Sequence, residues 1–405
     1  MLLPFALNTA AAPLPFHASR SLRVDTLRGV AILSVLVLHF TLAFGLLKSP
    51  LGDLLGKPLL GVLTLRGNYG VTLFFVISGF LITRQVLQRD GGLANIDLRR
   101  FYVERASRIL PPLLLALAVI VLLGWVGGLP YFGSDQHGPP LPTQRWLIAL
   151  ASVLGFWHNL LMQQEGWGYF HYCLNVYWSL SVEEAFYLLF PLLCRLLKRP
   201  LWIALAAVAL LVLGPVYRTL HPGNDIDFLY AYPACFDAIA AGVLCALASQ
   251  RWRLPARWAA PVRWLAVAGM VAVWSQSFMA HPGWTFSALL GCTAIWLWAS
   301  RGPQPVVVGW RGRLDSLLTP LRWLGRHSYE LYLFHVLVLA GLLQFFQRDT
   351  LQPVQRLPLL AVFLLLSVLV ASGVSRWVGE PALRFLRARW AVRAAARSRQ
   401  SGAIA

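Results

Sequence analysis

Ten apolar runs, each long enough to cross a bilayer and separated by short polar connections, constrain this chain more than any other feature. They fall at about 28–47, 70–88, 109–129, 178–198, 201–217, 228–249, 264–280, 284–300, 327–347 and 357–378. In lipid a backbone must satisfy its own hydrogen bonds, and uninterrupted runs of this length do so as helices. An eleventh run, about 145–162, is ambiguous by length, so the charges of the connections decide it. Every second connection is rich in Lys and Arg, holding 28 of the 35 such residues, provided that 145–162 does not cross. The predicted fold is an all-α integral membrane protein of about ten transmembrane helices with both termini cytoplasmic. Residues 130–177 then form a long extracytoplasmic insertion between spans 3 and 4, whose apolar segment packs on the bundle or re-enters it.

A net charge of +19 would also suit a nucleic-acid binder. Its alternation along the chain is the positive-inside pattern instead, so the expected partner is the lipid bilayer and no nucleic acid. With 58% hydrophobic and 13% charged residues, an ordinary soluble domain is excluded. The five cysteines include no C-x-x-C pair and fall mostly within apolar runs; they read as small core hydrophobes, with no disulfide framework and no metal site. Residues 1–24 are expected as a cytoplasmic arm rather than a signal peptide, since Pro4, Pro13 and Pro15 interrupt them and no basic leader precedes them.

Polar residues inside the spans are the candidates for chemistry, because each needs a partner or a water-filled cavity. Asp25 and Arg28 open the first run, and His39 lies eleven residues after Arg28. At about 100° per residue that spacing returns to nearly the same helix face, and at about 1.5 Å per residue it covers half a bilayer. Arg28 is thus expected at the inner surface and His39 near the midplane, facing one way. Arg105 and Arg108 share a face just beneath the membrane, suited either to phosphates or to topology and anionic headgroups. Ser78 and Gly79 allow close helix approach, with Ser78 read as packing or lining. Trp178 opens the fourth span as an expected outer interfacial anchor, followed by Glu183, Glu184 and Tyr187. Adjacent acids differ by about 100° in azimuth, so one is expected to face a cavity and the other to pair with a cation or a Tyr. Asp237 lies mid-depth in the sixth span. In the ninth, Ser328, Tyr332 and His335 share a face beside Tyr329, giving a second buried imidazole.

These motifs together resemble the acyltransferase family 3 membrane proteins, over about residues 25–381. The family's R-x10-H pattern is met by Arg28 and His39, and its Phe-Phe-x-x-Ser-Gly-Phe element by Phe74, Phe75, Ser78, Gly79 and Phe80. R-x-x-R-I-x-P is met by Arg105, Arg108, Ile109 and Pro111, Trp-Ser-Leu-x-x-Glu by Trp178 to Glu183, and the late element by Ser328, Tyr329, Tyr332 and His335. One departure concerns the sixth span, where many members carry Arg two residues before the Asp; Cys235 stands there, which weakens a role for Asp237.

The resemblance implies a multi-pass protein of the inner (plasma) membrane that moves an acyl group, usually acetyl, from cytoplasmic acyl-CoA to a hydroxyl of a cell-envelope glycan or lipid-linked sugar. No bound cofactor is expected; acetyl-CoA or another acyl-CoA is the co-substrate. Residues 25–381 would be the membrane acyltransferase domain and 382–405 a basic cytoplasmic tail, any accessory step needing a separate protein. His39 would act as general base or acyl carrier, with Arg28, Glu183 and Glu184 as the other catalytic candidates. Arg28, Arg105 and Arg108 would hold CoA phosphates. Glu183 or Glu184 would orient His39 or bind the acceptor, and Ser78 or Tyr332 would donate to the oxyanion. Asp25, Tyr187, Asp237, Ser328, Tyr329 and His335 complete the supporting or acceptor-side set. A secondary transporter or flippase is the alternative, since it also needs buried His and Glu.

Overall fold

The computed structural model describes residues 21–134, 141–221, 225–302, 315–385 and 388, all helical or irregular with no strand among them. The arm at 1–20 and most of the tail beyond 385 lie outside the described residues. Each of the ten apolar runs forms a helix. In chain order the helices are α1 (Leu22–Phe44), α2 (Pro50–Leu55), α3 (Lys57–Thr64), α4 (Gly67–Arg89), α5 (Leu98–Ile120), α6 (Thr143–Leu154), α7 (His158–Glu165) and α8 (Tyr177–Leu197). They continue as α9 (Pro200–Leu220), α10 (Asp225–Tyr230), α11 (Tyr232–Arg251), α12 (Ala256–Ser275), α13 (Pro282–Ala299), α14 (Thr319–Arg326), α15 (Ser328–Leu343) and α16 (Arg356–Val374). Among the described residues, 6 helical stretches are long and apolar enough to cross a membrane: Leu22–Phe44, Lys57–Arg89, Leu98–Val126, Pro200–Leu220, Asp225–Arg251 and Pro353–Phe385.

Local chemistry sets the ends of the helix that carries Arg28 and His39. The Ser21 hydroxyl accepts the Val24 N–H at the start of α1, and Gly45, at φ 66°, closes it by donating its N–H to the Thr41 carbonyl. In α5, Asp97 caps the Arg100 N–H at 3.0 Å. Pro111 and Pro112 lie inside that helix, and a wider π turn over Val121–Val126 follows it.

α11 lies between α4 and α9, and two glycines make its seam with α4 close. A Cβ on Gly79 would run into the Ile239 carbonyl, and one on Gly242 into the Val76 carbonyl. A second close seam joins α1 to α14, where Gly29 meets the Leu321 carbonyl and Gly325 that of Asp25.

The ambiguous run at 145–162 is broken. Its two helices, α6 and α7, have 12 and 8 residues, about 18 and 12 Å long, so neither spans a bilayer alone. The insertion packs around aromatic and imidazole rings instead. Trp125 stacks on Trp146 at 5.6 Å, and Trp146 meets His171 edge-on at 4.7 Å. His158 is clamped between the Ser152 hydroxyl at Nδ1 and the Tyr169 hydroxyl at Nε2, each at 2.6 Å. Burial lowers both imidazoles to about 3, with the neighbouring His158 adding to the effect on His171. Trp178 is not an interfacial anchor: it is buried against Tyr230 and Phe75, with ring centroids at 4.6 and 6.1 Å, because α10 covers the side expected to face lipid.

Candidate functional site

Both ends of the Arg28–His39 stripe meet one helix. Arg28 Nη2 donates to the Ser328 hydroxyl at 2.7 Å, and His39 Nδ1 lies 3.1 Å from His335 Nε2. Ser328 and His335 are two turns apart on α15, and the long Arg28 side chain makes up the rest of the rise. The ring contacts fix where the protons sit in the neutral imidazoles. His335 Nδ1 faces two carbonyls, Leu331 at 3.0 Å and Tyr332 at 2.8 Å, which can only accept. It therefore donates, and His335 Nε2 is left as an acceptor. His39 Nδ1 faces that acceptor and the Val35 carbonyl at 2.9 Å, so it too carries the proton. The lone pair of His39 is thereby assigned to Nε2. His335 is fully buried, whereas His39 is half-buried.

A second polar cluster joins α4 to α8. Ser78 donates to Glu183 Oε1 at 2.5 Å, Tyr187 donates to the same oxygen, and the two hydroxyl oxygens lie 2.9 Å apart. The Arg105 guanidinium lies over the rings of Tyr187 and Phe101 at 5.5 and 5.7 Å, and donates to Gln85 Oε1 at 2.7 Å. Of the two adjacent acids, Glu183 pairs with a tyrosine. Glu184 is buried with Oε1 unpartnered, within electrostatic range of Arg105 and Tyr329. The Tyr329 hydroxyl donates to the Ile109 carbonyl at 2.8 Å and so ties α15 to α5.

Several expectations are revised by this geometry. Neither acid orients His39; His335 holds that place. Ser78 is not a packing residue, because Gly79 makes the close approach and leaves the hydroxyl free to turn to α8. Ser78 is engaged with Glu183, and Tyr332 with Ser179 at 2.5 Å and the Val176 carbonyl at 2.9 Å, so neither is poised as a free donor. Arg105 is half-buried among aromatic rings while Arg108, within its electrostatic range, is exposed. Asp25 is buried near Arg322, away from His39.

Asp237 finds its cation on a neighbouring helix. Arg218, from α9, donates to it through both terminal nitrogens at 2.5 and 3.1 Å and also reaches the Ala234 carbonyl. The pair is 2% and 0% exposed. Arg218 also lies over the Phe286 ring at 4.6 Å, and borders a narrow crevice with Thr72, Trp178 and Phe75. Sequence reasoning missed Arg218 by counting it among the cations of a connection. Its signal was its place three residues after Pro215 in a run that continues to Leu220.

The acyltransferase domain family (acyltransferase 3) matches residues 21–376. A peptidoglycan O-acetyltransferase (OatA) of Listeria monocytogenes is 26% identical over 336 residues, 77% of this chain and 48% of that protein. A putative peptidoglycan O-acetyltransferase (YrhL) of Bacillus subtilis is 28% identical over 356 residues, covering 78% and 48% respectively. A putative O-acetyltransferase of Staphylococcus aureus is 29% identical over 172 residues, 42% of this chain and 24% of its own. The chain spans about half the length of the first two. No solved structure matches.

Proposed function

The chain belongs to the acyltransferase 3 family, and on that premise we propose that it is a membrane O-acetyltransferase carrying an acetyl group from cytoplasmic acyl-CoA to a hydroxyl of a cell-envelope glycan or its lipid-linked precursor. Peptidoglycan is the acceptor named for two relatives and the first to test. The proposed topology is ten spans with both termini cytoplasmic, which puts Arg28, Arg105 and Arg108 at the donor side.

The observation that carries the reading is the His39–His335 contact, which leaves His39 Nε2 with its lone pair on the same stripe as Arg28. In the proposed reaction the acceptor hydroxyl attacks the thioester carbonyl as Nε2 takes its proton. The tetrahedral intermediate then expels the CoA thiolate, which recovers that proton from the imidazolium. An ester forms, a thioester breaks, and free CoA thiol leaves. The imidazole takes the proton as the neutral ring and returns it as the imidazolium, a cycle suited to near-neutral pH. His335 stabilises the imidazolium by accepting from Nδ1. Glu183, Glu184 and Tyr187 of α8, with Ser78 of α4, supply acceptor-side polar groups.

The test is acetyl transfer by the purified protein from radiolabelled acetyl-CoA to peptidoglycan fragments. Wild type is expected to release CoA thiol in step with ester formation, and His39→Ala to lose at least about 100-fold, the scale of general-base catalysis. A secondary transporter or flippase would leave the thioester intact. Intact thioester in every acceptor mixture, or full activity in His39→Ala, would sink the reading.

A further inference from the structure

The cytoplasmic ends of α1, α4, α12 and α13 carry arginines that the proposed reaction does not use. Arg263 of α12 donates to the Ala299 carbonyl at 3.0 Å, which sets it beside the end of α13, two residues before Arg301. It is also close enough to Arg23 of α1 to repel it. Arg301 in turn lies within repulsive range of Arg84, near the end of α4, and of Arg253. Arg23 thus neighbours Arg263, and Arg84 neighbours Arg301, and the Arg263–Ala299 hydrogen bond links the two pairs at the end of α13.

Cations that serve topology alone stand in water, as Arg251, Arg253 and Arg257 do here. The four are different: each is partly buried, and Arg23 Nη1 and Arg84 Nε are out of reach of water with no acceptor. The buried hydroxyls of Thr83 and Ser300, each next in sequence to one of these arginines, also lack a partner. Among the described residues no carboxylate forms an ion pair with any of the four. The segments outside the described residues hold a single acid, Asp135, in the extracytoplasmic insertion.

Gathering guanidinium groups away from water is costly unless their charge is offset. Each offers N–H donors in a planar fork and no acceptor, so the missing partner is an anion with several oxygens. The chain does not supply it. We infer that this cluster is a phosphate-binding site, separate from Arg28, Arg105 and Arg108, for the phosphate of an inner-leaflet phospholipid headgroup or of a soluble nucleotide. Both sources present the same chemistry at the same depth: an oxyanion at the inner membrane edge, gripped by forks from four helices.

The full chain in phosphatidylcholine nanodiscs tests this with two probes. One arm titrates adenosine 3′,5′-bisphosphate; the other measures phosphatidylglycerol retained after exposure to vesicles of equal parts phosphatidylglycerol and phosphatidylcholine. Saturable binding that depends on Arg84 and Arg301 is expected for one probe, and that dependence identifies the source, because adenosine 3′,5′-bisphosphate also suits the CoA-phosphate arginines Arg28, Arg105 and Arg108. Arg84→Gln with Arg301→Gln should weaken that binding at least about tenfold, as loss of charge-assisted hydrogen bonds implies, while Arg251→Gln with Arg257→Gln leaves it unchanged. Arg84→Lys with Arg301→Lys preserves charge and guards against misfolding; it should still lose affinity, because the fork is gone. Binding of neither probe, full retention in the Arg84/Arg301 variants, or equal loss in both glutamine pairs would overturn the site. The readout needs no acyl transfer, so it stands or falls apart from the proposed reaction.

Discussion

His39 and Asp237 show two ways in which a polar side chain is kept among apolar helices. His39 is held by another imidazole ring, and Asp237 by a guanidinium from α9. The consequences of substitution differ accordingly. Arg218→Ala or Asp237→Ala strands a buried charge and should cost about 3–5 kcal/mol, read as a lower unfolding temperature in detergent. Removing both partners with apolar residues of similar size should cost far less than the two single losses combined, since no lone charge remains. At His335, a Leu replacement removes the acceptor for His39 Nδ1 but leaves the Val35 carbonyl. Turnover should therefore fall while the concentration dependence on acyl-CoA changes little; a pure rise in KM would count against a role beside His39.

Among the elements, the α4–α11 seam and the broken insertion carry the most consequence. The seam depends on two missing side chains, because backbone atoms occupy the space a Cβ would need. Gly79→Leu or Gly242→Val should force the helices apart at a cost of about 1–3 kcal/mol or more and reduce the folded protein in membranes. Gly291→Ala, where nothing lies within 4 Å, should be tolerated. Displacing α4 also moves Ser78 away from Glu183, so activity should fall in any Gly79 variant that still folds. In the insertion, His158 and His171 are held neutral down to about 3, below the 6.5 of an unfolded imidazole. The unfolded chain binds more protons between those limits, so stability is complete above about pH 6.5 and declines as pH falls through the window. Unfolding temperatures measured from about pH 7 to pH 4 should drop, and His171→Phe should flatten part of the decline.

For the whole molecule, membrane topology is the assertion with the sharpest external check. Trp167 is 80% exposed in the insertion, and Trp252 is 65% exposed between α11 and α12. On the ten-span reading they lie on opposite sides. A cysteine at 167 should react with an impermeant maleimide added to intact cells, and one at 252 only after lysis. The reverse pattern would invert the bundle and move the arginine-rich ends away from cytoplasmic acyl-CoA.

Much of this was written in local pattern. Helix positions follow from apolar runs, and the common face of Arg28 and His39 follows from turn and rise per residue, quantities that neighbours along the chain fix. The family emerged from short motifs for the same reason. What local pattern could not supply was the partner of each buried polar group. His39 meets an imidazole rather than a carboxylate, Asp237 finds Arg218 across a helix seam, and Trp178 is covered by α10 rather than lipid. Those pairings depend on which helices lie side by side and at what height, and that is decided by side-chain volume and backbone approach between segments far apart in the chain. The sequence determined the stripe on α1; only the packing of α15 against it decided which nitrogen of His39 holds the lone pair.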